Sequence, residues 1–242
     1  MSGEMLPLAL LAGGLSTRLQ PLTASQPKAL VQVAGQPFLA HQLRLLREQG
    51  LEHVVICAGY LGEQIEAYVA GQDFGMHIRF SYDGEQLLGT AGALRKALPL
   101  LGDAFFVMYG DSLLPCSFAA VQGAFLASGR RGLMTVFANE GRWDTSNVEF
   151  RDGRIVAHSK TERTPAMRYI DYGLGVLTAS AVNELVTSAP YDLSTLYQQL
   201  LAAGELAGLE VRERFYEIGS FAGLEETERF LQSRSRRAHV VR

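Results

Sequence analysis

This sequence of 242 residues lacks the motifs of several protein classes. Its two cysteines, Cys57 and Cys116, show neither C-x-x-C spacing nor an accompanying histidine ligand pattern, which argues against a cysteine-based metal or redox site. The formal net charge of −3 gives no electrostatic case for a nucleic-acid partner, because such proteins usually carry a concentrated basic face. The glycine-rich segment near the N-terminus matches neither GxxxxGK[ST] nor GxGxxG, so no P-loop or dinucleotide-binding turn is indicated.

Long apolar segments are absent too. No segment reaches the roughly 20 apolar residues that a bilayer-spanning helix needs. The apolar run at 6–11 lacks a basic start and ends in a glycine turn, which is typical of a strand and not of a signal sequence. We therefore expect a cytoplasmic protein without a membrane partner. The C-terminal basic cluster is better explained as a solvated helix end or tail, and it comprises Arg234, Arg236, Arg237 and Arg242.

Strand-like and helix-like segments alternate along the first half of the chain. Apolar runs predict strands at 6–11, 53–58, 78–82 and 104–109, and helical spacing predicts helices at 37–49 and 62–69. Strands separated by helices imply parallel pairing through right-handed crossovers. In the second half, strands are predicted at 132–138, 147–151, 154–159 and 172–177, several of them close enough to be antiparallel neighbours. That half could form a lid over the first.

The most informative segment, residues 11–28, reads LAGGLSTRLQPLTASQPK. Gly13 and Gly14 would let backbone N–H groups approach a polyphosphate without a Cβ in the way, and Ser16 and Thr17 would add hydroxyl donors. In a parallel sheet this turn lies at the carboxyl end of a strand, where ligands bind. A short glycine motif is equally compatible with a plain strand-to-loop turn.

Two cations accompany this turn. Arg18 can contact phosphate oxygens as a planar fork, and Lys28 can do so as a mobile point charge. Asp111 follows the predicted strand at 104–109, so its carboxylate would stand at the mouth of a buried strand, where a hard cation prefers oxygen ligands. Taken alone, Asp111 is also compatible with a turn or a helix cap.

Residues 12–33 resemble the signature of the sugar-1-phosphate nucleotidylyltransferases, or nucleoside-diphosphate-sugar pyrophosphorylases, which runs roughly AGGxGTRLxPLTxxxPKxLxPV. Ser16 stands where that family usually has Gly. The resemblance implies an α/β fold with a Rossmann-like, mostly parallel mixed sheet flanked by helices and a smaller antiparallel sugar-binding lid. It also implies Mg²⁺-dependent transfer of a nucleoside monophosphate from a nucleoside triphosphate to a sugar 1-phosphate, with release of pyrophosphate.

The same resemblance assigns roles within the first half of the chain. Arg18 and Lys28 are the expected catalytic cations. The nucleotide contacts are expected from Leu11, Ala12, Gly13, Gly14, Ser16, Thr17, Gly89 and Thr90. The last two belong to LGTAGAL, which recognises the nucleobase in relatives and is most similar to versions in guanylyltransferases acting on mannose or heptose phosphates. Without the resemblance, this string could be only a helix start.

Three more site residues are expected from the resemblance together with Asp111. Asp111 and Glu217 match the two Mg²⁺ ligands, although relatives typically carry Asp where this chain has Glu217. Lys160 matches a lysine that touches the sugar phosphate, and Asp171 stands where relatives usually have Asn and could accept hydrogen bonds from sugar hydroxyls. As isolated residues, Glu217 and Lys160 would be unremarkable strand-end charges.

We expect one domain, because no linker, repeat or low-complexity segment divides residues 1–242. Within it we expect a nucleotide-binding half at about 1–128, a sugar-phosphate-binding half at about 129–220, and a C-terminal helix and tail at 221–242. Two other functions stay open at this point. One is nucleotidylyl transfer to a non-sugar phosphorylated acceptor, and the other is a non-catalytic nucleotide-sugar sensor.

Overall fold

The structure is a computed structural model that describes residues 4–14, 19–187 and 189–240, with side chains described as far as Arg234. Three predicted site residues, Ser16, Thr17 and Arg18, therefore lie outside the described residues. The strands are β1 (Leu8–Ala12), β2 (Gln32–Val33), β3 (Gln36–Pro37), β4 (His53–Ala58), β5 (His77–Tyr82), β6 (Ala104–Tyr109), β7 (Ser112–Leu113), β8 (Gly132–Phe137), β9 (Val148–Arg151), β10 (Arg154–His158), β11 (Ile170–Thr178), β12 (Leu206–Val211) and β13 (Tyr216–Glu217).

The helices alternate with these strands. They are α1 (Phe38–Glu48), α2 (Gly62–Ala70), α3 (Thr90–Ala97), α4 (Phe118–Ser128), α5 (Ala179–Leu185), α6 (Leu193–Ala202) and α7 (Phe221–Val240), with short 3₁₀ turns at Lys28–Leu30 and Leu98–Leu100. No helix in the described part of the chain is both long enough and apolar enough to cross a membrane.

Seven strands form the central sheet, in the order β12-β8-β11-β6-β1-β4-β5. Six of them run parallel, and β11 runs antiparallel to both of its neighbours. The carboxyl ends of β6, β1, β4 and β5 therefore meet at one edge of the sheet. The loops after these four strands can build a single site at that edge.

Helices cover both faces of the sheet, which explains why its strands are continuous apolar runs. Along β1, Leu8 and Leu10 join the core layer beneath α1, α2 and α4, whereas Ala9 joins the layer beneath α3, α5 and α6. A third, smaller core lies between α7, α1 and the short strands β2 and β7, and it includes Val33 and Ile218. This last core fixes the segment that carries β13 and the start of α7.

The predicted fold class is confirmed, including the helix-flanked, mostly parallel sheet and accompanying small antiparallel sheets. The predicted strands at 53–58 and 104–109 coincide with β4 and β6. The helix predicted at 37–49 is α1, and Gly50 directly beyond its cap has a φ of +86°. The second half is less separate than the idea of a lid suggests, because β8, β11 and β12 extend the central sheet and only β9 and β10 form a hairpin of their own.

Candidate active site

A cavity of about 370 Å³ opens at the carboxyl edge of β6, β1, β4 and β5. Eight predicted site residues line it: Leu11, Ala12, Gly13, Gly14, Lys28, Gly89, Thr90 and Asp111. They come from three separate parts of the sequence. The fold brings them together because the turn after β1 lies between the loop after β6 and the start of α3.

The turns that surround this cavity pack closely against one another through their backbones. A Cβ on Gly59 would lie 2.7 Å from the carbonyl oxygen of Gly13, and a Cβ on Gly110 would lie 2.6 Å from that of Leu11. Any side chain at either glycine would push the loops apart. The glycines after β1, β4 and β6 therefore allow three loops to meet beneath one ligand.

Lys28 and Asp111 form an ion pair in the cavity, with Lys28 Nζ 2.7 Å from Asp111 Oδ2. The side chains are 14% and 33% exposed, respectively, so the pair is partly shielded from water and still reachable by a ligand. Lys28 opens the 3₁₀ turn after Pro27. Asp111 is held by its backbone, since its carbonyl oxygen accepts from Ile218 N–H at 2.9 Å.

Glu217 lies close to Asp111 along the backbone, because β13 pairs with β7 and places Glu217 opposite Ser112. Its carboxylate, however, accepts hydrogen bonds from the two residues just before α7. The Gly219 N–H donates to Oε2, and the Ser220 hydroxyl donates to Oε1 at 2.9 Å. A carboxylate at a helix N-terminus is stabilised by the helix dipole. In the described residues, no group of three or more histidine, cysteine or acidic side chains is arranged to hold a metal ion.

The predicted base-recognition segment also contacts the second half of the chain, at the loop before α6 and the start of that helix. Gly89 has a φ of +74°, and a Cβ there would lie 2.6 Å from the carbonyl oxygen of Tyr191. The Thr90 hydroxyl accepts a hydrogen bond from the N–H of Leu193 at 2.7 Å. The start of α3 is thus tied to the start of α6, while Gly89 and Thr90 still line the cavity.

Of the two predicted acceptor-side residues, Lys160 lies in the loop after β10 and Asp171 lies near the start of β11. Lys160 Nζ donates to Asp192 Oδ1 at 3.0 Å, and Asp192 caps the N-terminus of α6. Asp171 Oδ1 accepts from Gly173 N–H at 3.0 Å. Burial raises the pKa of Asp171, and the neighbouring charge of His158 opposes that shift.

Three further polar residues of this region were not predicted from the sequence. His158 is 4% exposed, and neither of its ring nitrogens has a hydrogen-bond partner among the described residues. Tyr109 lines the cavity, and burial raises its pKa well above the usual value, with Asp171 as the next largest cause. Asp83 follows β5 and also lines the cavity. Its place directly after a predicted strand was the one sequence signal that could have indicated it.

The fold and cavity are those of a nucleotidyltransferase, and comparisons with known proteins identify the family. The profile of the nucleotidyl transferase family matches residues 9–231, so the chain belongs to that family. The predicted resemblance is thereby confirmed. Among solved structures, HddC from Yersinia pseudotuberculosis in complex with GMP-PN shares the fold, with a TM-score of 0.79 at 19% identity over 94% of this chain and 100% of that chain.

Two curated relatives illustrate the range within this family. The catalytic subunit beta of mannose-1-phosphate guanylyltransferase from Xenopus tropicalis is 27% identical over 216 residues, which cover 87% of this chain and 60% of that protein. The N-acetylmuramate alpha-1-phosphate uridylyltransferase of Neisseria meningitidis is 41% identical over 113 residues, or 46% of this chain and 49% of that protein. The chain thus spans about 60% of the length of the guanylyltransferase it matches.

Proposed function

We propose that this protein transfers a nucleoside monophosphate from a nucleoside triphosphate to a sugar 1-phosphate and releases pyrophosphate. The observation that carries the proposal is the Lys28–Asp111 pair at the mouth of a glycine-lined cavity, where the carboxyl ends of four strands meet. This arrangement offers backbone N–H groups, a cation and a carboxylate to one polyphosphate-sized ligand. The names of the relatives, all nucleotidylyltransferases, support the same reaction.

The proposed reaction does not need a covalent bond between the protein and a substrate. A sugar 1-phosphate is already an oxyanion nucleophile, so no serine or cysteine intermediate is required. The main obstacle is repulsion between two phosphate anions, which positioning and preorganised positive charge overcome. Lys28 would hold the attacking sugar phosphate or the α-phosphate, and Arg18 would neutralise charge that develops on the departing pyrophosphate. Gly13 and Gly14, with Ser16 and Thr17, would bind the triphosphate.

Mg²⁺ is the cofactor that the carboxylates fit best. Mg²⁺ commonly binds one or two carboxylates together with substrate phosphates and water, so a complete cage of protein ligands is not required. Asp111 lines the cavity with a partly exposed carboxylate, and Glu217 lies on the neighbouring short strand. Asp111 would be the principal ligand, and Glu217 the second once its carboxylate leaves the Gly219 N–H and the Ser220 hydroxyl. The bound ion would neutralise phosphate charge.

The acceptor would be bound by the second half of the chain. Lys160 is about half exposed and, within the described residues, forms an ion pair with the similarly exposed Asp192 alone, so its ammonium can contact a sugar phosphate. Asp171 lies on β11 beside Tyr109, which lines the cavity, and would accept hydrogen bonds from sugar hydroxyls. On this proposal, residues 1–128 form a nucleotide-binding half, 129–220 a sugar-phosphate-binding half, and 221–242 the helix and tail of one domain.

The proposal is tested by incubating the protein with each ribonucleoside triphosphate or dTTP, Mg²⁺ and a panel of sugar 1-phosphates, and measuring pyrophosphate. We expect release that depends on both substrates, with an NDP-sugar as the second product. A panel of phosphorylated alcohols in the same assay distinguishes a non-sugar acceptor. Nucleotide-sugar binding without turnover on any acceptor would contradict the proposal and favour a sensor.

A further inference from the structure

The carboxyl ends of four neighbouring strands lie in a row along the edge of the sheet where the cavity opens. Asp111 follows β6, Gly13 follows β1, Gly59 follows β4 and Asp83 follows β5, in the same order as the strands lie in the sheet. Adjacent strands are about 4.8 Å apart, so three strand spacings place the Asp83 end about 14 Å from the Asp111 end. If the Lys28–Asp111 pair binds phosphate, as proposed above, the nucleoside extends toward Asp83.

The wall at this far end is apolar apart from Asp83. Cys57, Leu87 and Ala93 line the same cavity. Burial raises the pKa of the Cys57 thiol to about 12, so that side chain is neutral. Such walls suit the faces of a planar heterocycle, and a single polar group among them would set its orientation.

The Asp83 carboxylate is held in place but only partly satisfied. Its Oδ2 accepts from the Leu88 N–H at 3.2 Å and lies 3.6 Å from where a Cβ on Gly13 would be. Lys96 donates to the backbone carbonyl of Asp83 at 3.1 Å, not to its carboxylate. Within the described ranges no cation forms an ion pair with this carboxylate, and burial raises its pKa, against the opposing effects of the Leu88 N–H and the nearby Lys96 charge. An acceptor-only group is therefore positioned in the cavity with unused lone pairs.

We infer that Asp83 makes the nucleoside end of this cavity selective for guanine, by accepting hydrogen bonds from the guanine N1–H and its N2 amino group. Guanine alone among the common bases presents two adjacent donors on its Watson–Crick edge. Uracil and thymine present one N–H between two carbonyl oxygens. A carboxylate that accepts from this N–H would be repelled by the neighbouring carbonyl oxygens. Cytosine and adenine present an amino group beside a ring nitrogen that is an acceptor. This inference rests on the proposed nucleotide-binding role of the cavity and adds the identity of the base.

The test compares GTP with inosine triphosphate, which differs from GTP only by lacking the N2 amino group. For wild type we expect kcat/KM to be roughly 10- to 100-fold higher with GTP, as for one lost hydrogen bond to a charged group. GTP should likewise exceed UTP, dTTP, CTP and ATP. Equal use of GTP and inosine triphosphate, or a preference for any other common base, would overturn the inference.

The variant Asp83→Asn keeps the shape and the oxygen that accepts from Leu88, but it replaces one acceptor with an amide donor. We expect its preference for GTP over inosine triphosphate to fall to near 1 and its use of xanthosine triphosphate to rise, because xanthine carries a carbonyl where guanine has the amino group. This gain of activity cannot come from misfolding. Asp73→Asn is the matched control, since Asp73 also accepts a backbone N–H, from Gly75 at 2.8 Å, but lies outside the cavity. Unchanged base preference in Asp83→Asn would overturn the inference.

Nucleotide binding measured by calorimetry without acceptor separates this inference from the proposed reaction. Tighter binding of GTP than of inosine triphosphate, lost in Asp83→Asn, supports the role of Asp83 even if no acceptor is turned over. Efficient transfer of uridylyl or thymidylyl groups would confirm the proposed reaction and overturn the role of Asp83.

Discussion

The ammonium group of Lys28 and the carboxylate of Asp111 lie 2.7 Å apart although 83 positions separate them in the sequence. The turn after β1 and the loop after β6 meet at this pair because β1 and β6 are adjacent parallel strands. Among the described residues, neither side chain forms an ion pair with any other group. A triphosphate that binds here would draw Lys28 toward its oxygens and release an oxygen of Asp111 for a metal ion.

Removing the Asp111 carboxylate should therefore affect both activity and stability. In Asp111→Ala we expect pyrophosphate release to fall about 10²–10³-fold, and unfolding midpoints to drop because Lys28 becomes a largely buried, unpaired cation. Wild type in a metal chelator should lose activity without the loss of stability. Asp103→Ala, which changes an exposed aspartate outside the cavity, should behave as wild type. Full activity of Asp111→Ala in chelator would contradict the assignment of a metal ion to this site.

The two cations should differ in the step that each serves. Arg18→Ala should lower turnover by about 10²–10³-fold, as for loss of one donor to the transition state, with a smaller change in the KM for the sugar phosphate. Lys28→Ala should lower turnover and also raise the KM for the sugar phosphate, because its charge contacts a group present before and during the reaction. Measuring kcat and KM for both substrates decides the point. A Lys28→Ala effect confined to the triphosphate KM would mean that this lysine faces the other substrate.

Much of the fold could be predicted from the sequence because the strands of the central sheet are buried on both faces and are therefore continuous apolar runs. Strands β4 and β6 were predictable to the residue because their continuous apolar runs end where the chain leaves the sheet. Strand β12 was missed because it is an edge strand whose apolar pattern is broken by Gly208 and Glu210. Only the structure shows why Gly208 is there, since a Cβ would lie 2.8 Å from the ring of Phe150.

The site was predictable where a motif is local, and not where tertiary packing builds it. The glycine turn with Lys28 could be recognised along the sequence because its residues are near one another in the chain. Asp83 enters the cavity only because β5 pairs with β4, and the strand order is not visible in the sequence. His158 could not be predicted either, because no periodic apolar pattern near it indicates that this residue is buried.

Glu217 can be tested for two roles at once. If its carboxylate binds the metal, Glu217→Asp should retain substantial activity, while Glu217→Gln should lose much of it and require more Mg²⁺ for half-maximal rate. Because the same carboxylate accepts hydrogen bonds from the Gly219 N–H and the Ser220 hydroxyl just before α7, Glu217→Gln should also lose about 1 kcal/mol of unfolding free energy. Loss of stability with an unchanged Mg²⁺ requirement would show that Glu217 only stabilises the segment before α7. Ser220→Ala removes a hydroxyl that donates to this carboxylate and accepts from the Gly223 N–H, so it should lower stability while leaving the Glu217 carboxylate able to bind a metal ion.

The burial of His158 should make stability depend on pH. Burial lowers the pKa of His158, against the opposing effect of the Asp171 and Asp192 carboxylates, so the folded protein favours the neutral ring. The unfolded ring takes up a proton near its usual pKa of about 6.5, so stability should be complete above that pH and fall as the pH decreases below it. Urea unfolding between pH 7.5 and 5.5 should show a shallower fall for His158→Gln, by at most about 1.4 kcal/mol per pH unit. A change of the same size in the exposed His77→Gln would argue against burial as the cause.

Gly89 should be among the least replaceable residues of the cavity. Its φ of +74° and ψ of 167° lie in a region that is essentially restricted to glycine. An added Cβ would also lie 2.6–2.9 Å from three backbone atoms of Tyr191, which cannot rotate away as a flexible side chain could. We expect Gly89→Ala to lose roughly 2–5 kcal/mol of unfolding free energy, from the backbone strain and the overpacking together.

Gly102→Ala is the control for that substitution. Gly102 also has a positive φ, +75°, but no atom lies within 4 Å of where its Cβ would be. Gly102→Ala should therefore lose only about 1–2 kcal/mol of unfolding free energy, from the left-handed backbone alone. Because Gly89 holds the start of α3 against the loop before α6, Gly89→Ala should in addition raise the KM for the nucleoside triphosphate, whereas Gly102→Ala should leave it unchanged. Chemical denaturation and steady-state kinetics of the two variants test both effects, and equal losses of stability would mean that the packing of Tyr191 against Gly89 contributes nothing.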